Sequence, residues 1–66
     1  MVKIDRKTYC KIEDCILKDK HLEVFPNGLQ YSQAFNYERY VSGSTKVLVF
    51  CSGEFYADQR LIDLVK

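Results

Sequence analysis

Apolar residues concentrate most densely in Lys46-Val47-Leu48-Val49-Phe50-Cys51. As a strand, this run points Val47, Val49 and Cys51 one way and Leu48 and Phe50 the other. Both faces are then apolar, which predicts a strand covered on both sides and central to the fold. Upstream, Ser42-Gly43-Ser44-Thr45 has the small, turn-forming composition of a hairpin loop leading into it.

Elsewhere the periodicity is less one-sided. Val2 and Ile4 alternate with Lys3 and Asp5, as in a short N-terminal strand or arm. Over residues 9–18, Tyr9, Ile12 and Ile16 fit a helix that Thr8 or Asp5 would cap. A strand with Ile12 and Ile16 on one face and Cys15 and Leu17 on the other fits the region's sequel better. Lys18-Asp19-Lys20 reads as a polar turn, and His21-Leu22-Glu23-Val24-Phe25 then alternates, which together predict a hairpin. Pro26-Asn27-Gly28 is a strong turn signal, after which Leu29-Gln30-Tyr31 would pair back on Leu22–Phe25.

Residues 32–41 fit a strand or a helix almost equally, with Tyr and Phe content tilting the reading to strand. After Ser52-Gly53, the stretch 54–65 has the best helical stripe in the chain, through Ala57, Leu61, Leu64 and Val65. Asp58 becomes its N-cap if Glu54–Tyr56 is still extended. The expected fold class is α+β: a small, mostly antiparallel β-meander with one C-terminal helix packed on the sheet, and closure toward a barrel as its variant. Strands are expected near 10–17, 21–25, 30–41 and 46–51.

Length sharpens this picture. A chain of 66 residues is expected to form a single small domain, and one this size buries only about 60% of its unfolded surface. Disulfides, a metal or self-association commonly supplement so small a core. Three cysteines, Cys10, Cys15 and Cys51, cannot all pair within one chain, so reduced thiols buried as small hydrophobes are expected. Met1–Asp5 does not read as a secretory leader, and no apolar run approaches membrane-spanning length. The expected setting is soluble and cytoplasmic, with no membrane partner.

Candidate chemistry is sparse. Cys10, Cys15, His21 and Cys51 are zinc-ligand types, but four residues separate the first two where knuckle-type sites use two. An exposed His21 and structural thiols account for them, so neither metal nor cofactor is expected. Gly28, Gly43 and Gly53 are isolated turn glycines, and Glu13-Asp14, Asp58 and Asp63 suggest no paired acid and base. The expectation is a non-enzymatic protein.

Charge distribution is more informative than the net charge of +1. From Val24 to Tyr37 no side chain is charged, and Phe25, Tyr31, Phe35 and Tyr37 alternate with Asn, Gln and Ser. Such depletion of charge with aromatic enrichment characterises interface cores. Phe25, Tyr31, Phe35, Tyr37, Arg39 and Tyr40 are therefore the candidate partner-binding residues. The expected role is a protein-binding module of inhibitor, adaptor or accessory-subunit type, a homodimer being its nearest version. The alternative is a nucleic-acid-binding regulator with an aromatic β-face. Such a face needs a basic groove, and in sequence Glu38 offsets Arg39 and Lys46 unless Lys3, Arg6 or Lys7 joins them.

Overall fold

The computed structural model describes all 66 residues. Strand β1 (Val2–Ile4) leads into helix α1 (Arg6–Leu17), followed by a 3₁₀ turn at Lys20–Glu23. Strands β2 (Gln30–Ala34), β3 (Tyr37–Ser42), β4 (Thr45–Cys51) and β5 (Glu54–Ala57) then precede helix α2 (Gln59–Leu64). The five strands form one antiparallel sheet in the order β1-β5-β4-β3-β2. The α+β class, the antiparallel meander and the C-terminal helix are as expected; the sheet does not close into a barrel. No helix is long and apolar enough to cross a membrane.

β4 is the middle strand, as its composition predicts. Its register slips against β3, so that Val41 faces Lys46 while Tyr40 faces Leu48. The extra residue, Val47, turns inward beside Leu48, and both are fully buried in one cluster with Tyr9, Ile12, Phe25, Ala57 and Leu61. A bulge of this kind re-aims a side chain at the cost of one ladder position. The expectation of cover on both faces holds only for Val49, which is 8% exposed between its neighbours Arg39 and Tyr56. Cys51 is exposed.

The first half departs most from expectation. Residues 6–17 form a helix, not a strand. Asp5 accepts from the Thr8 amide at 2.8 Å, and Tyr9 and Ile12 are buried on one stripe. A strand would put Tyr9 and Ile12, three residues apart, on opposite faces, whereas the helix buries both in one core. With no partner strand available, residues 21–25 cannot form the second arm of a hairpin. They satisfy their backbone locally instead, the His21 carbonyl accepting from Val24 and Phe25 at 3.0 and 2.8 Å. The 3₁₀ turn buries His21, which was expected to be exposed.

Pro26-Asn27-Gly28 turns as read, the Gly28 amide donating to the Phe25 carbonyl at 2.9 Å. The expected strand at 30–41 is two strands, broken at Phe35-Asn36, where Asn36 takes φ 55°. β2 consequently pairs with β3 alone and not with residues 22–25. The helix expected from residue 54 begins after Asp58, the conditional cap. Glu54–Ala57 is extended as β5, and the Asp58 carboxylate accepts from the Arg60 amide. Leu61 then sends α2 into the core.

Candidate functional site: an uncharged edge and two unlike faces

The β2–β3 hairpin carries most of the candidate residues but does not gather them on one surface. Phe25 lies outside it, buried at 5% exposure in the core with the Arg60 guanidinium over its ring at 4.7 Å. It therefore cannot be a free contact residue. Phe35, at the hairpin tip, is 93% exposed, and Tyr31 is 49% exposed. Pairing places Tyr31 and Tyr40 on the face that α1 covers and Tyr37 and Arg39 on the opposite face.

β2 itself is the sheet edge. All five residues, Gln30-Tyr31-Ser32-Gln33-Ala34, are exposed, and none is charged. Soluble proteins usually protect such an edge with lysine, proline, a bulge or an overlying loop. Here Phe35 prolongs it instead.

The open face has its own chemistry. Ser32, Arg39, Val49, Tyr56 and Lys3 form one row across the strands, with Tyr37, Cys51 and Glu54 beside it. Arg39 donates to the Ser32 hydroxyl at 2.7 Å. The Arg39 and Lys46 cations lie 6.0 and 5.8 Å from the Tyr37 ring centroid. Lys46, and then Arg39, hold the Tyr37 hydroxyl below its ordinary pKa. Glu54 bonds Lys3 at 2.9 Å and accepts from Tyr56 at 3.2 Å. Glu38 does not offset these cations: strand alternation turns it to the helix side, where it accepts from Tyr31 at 2.6 Å.

That other side is acidic and aromatic. The Tyr40 hydroxyl, half-buried, donates to Glu13 on α1 at 3.2 Å, and its ring packs on Tyr31 with centroids 4.9 Å apart. Burial raises the pKa of Glu13; the Tyr40 bond opposes this and the Glu38 charge adds to it. Burial, followed by Glu13, likewise raises Tyr40. Tyr9 completes the group, buried with its hydroxyl unpartnered.

The cysteines are not the buried thiols expected. Cys10 and Cys51 are exposed and Cys15 is half-buried. No three His, Cys, Asp or Glu side chains gather as metal ligands.

The sequence reading missed Glu13, Tyr9 and Tyr56 as neighbours of the candidate residues. Period-two alternation at Glu38-Arg39 was the one available signal that the acid and the base part company. No protein-family model matches the chain, and comparisons with curated proteins and with solved structures returned no match.

Proposed function

We propose that the protein is a non-enzymatic protein-binding module that acts by occupying a partner's surface, with β2 and the Phe35 tip as its contact element. The observation that carries this reading is the five-residue, uncharged edge strand, exposed at every position and followed directly by an exposed phenylalanine. Strand addition supplies main-chain hydrogen bonds, and a projecting ring supplies an anchor for a pocket. A second copy of the chain is the simplest partner, because two β2 strands paired antiparallel about Ser32 bring no charges together.

Phe35→Ser tests this directly. The substitution is expected to leave the melting temperature unchanged, since the ring contributes no core contact, and to abolish both self-association in sedimentation and capture of a host partner. Wild-type protein that is monomeric at high micromolar concentration, and whose captured proteins are all retained by the variant, would refute the reading.

A second reading is favoured by the open face, where Arg39, Lys46 and Lys3 accompany Tyr37 and Tyr56 with Glu54 as the only carboxylate. Bases stack on such rings while cations meet phosphates. Titration with single-stranded and duplex oligonucleotides tests it. Binding that weakens steeply with salt and is lost in Arg39→Gln would place nucleic acid ahead of protein as the partner.

A further inference from the structure

Between α1 and the sheet lies a shallow cleft of about 250 Å³ lined by Tyr9, Glu13, Glu38, Phe50 and Phe55 together with Arg6 and Cys10. Its polar groups are incompletely used. Glu38 accepts from Tyr31 through Oε1 and Glu13 from Tyr40 through Oε2, leaving Oε2 of Glu38 and Oε1 of Glu13 without a donor. Neither carboxylate has a cationic partner among the ion pairs. Tyr9 is 3% exposed, and its hydroxyl has no hydrogen-bond partner. That hydroxyl is close enough to Glu13 and Glu38 for both charges to raise its pKa, after the larger effect of burial.

We propose that this cleft receives a primary ammonium group on an alkyl stem, the lysine side chain of a partner protein. An ammonium has three donors and no acceptor, and the cleft offers two unused carboxylate oxygens, on Glu13 and Glu38, with the buried, unpartnered Tyr9 among its lining residues. Two carboxylates that line one cleft without a cationic partner are stabilised by a cation placed between them. The rings of Phe50 and Phe55, with centroids 5.1 Å apart, form an apolar wall for the methylene stem, as lysine stems commonly use. The protein's own nearby cation does not fill the role. The Arg6 guanidinium rests 5.8 Å from the Phe55 centroid and pairs with neither carboxylate.

This inference takes the identity of the ligand's bearer from the protein-binding reading, but the cleft is separate from the β2 backbone and is tested without a partner. Isotope-labelled protein is titrated with Nα-acetyl-lysine amide, n-butylammonium and Nα-acetyl-norleucine amide and followed by NMR. The two ammonium probes should move the Tyr9, Glu13 and Glu38 signals saturably, and the uncharged norleucine probe should not. Glu13→Gln and Glu38→Gln should each weaken the lysine probe by about tenfold. Asp14→Asn, on the same helix but paired with Lys18 at 2.9 Å, should not weaken it.

Absent or unsaturable shifts overturn the proposal, as does equal binding of norleucine. A loss in Asp14→Asn as large as in Glu13→Gln would show diffuse attraction rather than a site. Binding of n-butylammonium without the lysine amide would overturn the assignment to a protein side chain. Each of these results leaves the Phe35→Ser test of the edge untouched.

Discussion

At the scale of single residues, Phe25 and Phe35 show what composition hides. Both lie in or beside the same uncharged segment, yet one is in the core and the other is the most exposed large apolar side chain. Phe25→Ala should cost about 3–5 kcal/mol in denaturant unfolding, whereas Phe35→Ser should stay within about 0.5 kcal/mol of wild type. Nothing local separates them. Phe25 follows a 3₁₀ turn that packs on α1, and no single-segment periodicity reports that packing. Glu13 makes a similar point through charge. Burial holds its pKa above the ordinary carboxylate value, so its ionisation opposes folding. That cost is absent below the unfolded-state pKa and is fully present once pH has risen through the folded one. Glu13→Gln keeps an acceptor for Tyr40 and cannot ionise. Its stability relative to wild type should therefore increase as pH rises through the carboxylate range and level off near neutrality. Paired chemical denaturation across that range checks this, and the oppositely shifted Asp58, held low by Arg60, cancels because both proteins carry it.

At the scale of elements, the second half of the chain was more legible than the first. β4, its Ser42–Thr45 hairpin and the Asp58 cap each have a local cause. Gly43 takes φ 62°, a backbone that glycine adopts without strain, and Asp58 is a good N-cap before an apolar stripe. α1 lacks such a local cause: Tyr9, Ile12 and Ile16 satisfy a helix, while the following alternation at 21–25 favours a hairpin. Both segments cannot be right at once, and the Asp5 cap with a buried helical stripe prevailed. The bulge at Val47 was invisible for a related reason, since it follows from the register against β3 and not from the strand itself. The β4–β5 turn offers a test at this level. Ser52 and Gly53 have φ 49° and 84°, the type I′ pattern, which favours Asn over Ser at the first position. Ser52→Asn should raise stability by about 0.5 kcal/mol, measured by thermal unfolding. No gain would mean that the Cys51–Glu54 pairing, not the turn, limits this hairpin.

At the scale of the whole molecule, the sheet is asymmetric in two senses. One face is sealed by the helices while the other is open, and its two edges are protected unequally. β1 is three residues long and carries Lys3, tied to Glu54, which makes it a poor template for another strand. β2 is longer, neutral and exposed at every residue. If partner strands add to the molecule, β2 is where they add, and a charge placed there should block them without harming the fold. Gln33 is suited to that test because it faces Glu38 across the hairpin. A lysine at 33 would meet an opposite charge inside the molecule, a cross-strand pairing that tends to stabilise, while two such lysines would be diagonal neighbours on one face of an antiparallel β2–β2 dimer paired about Ser32. Gln33→Lys should therefore keep or slightly raise the melting temperature and shift sedimentation fully to monomer. Gln33→Glu should act likewise on assembly but lower stability slightly through repulsion from Glu38. Retained self-association in both variants, with unchanged folding, would move the interface off the edge and onto the open face of Tyr37, Arg39 and Tyr56.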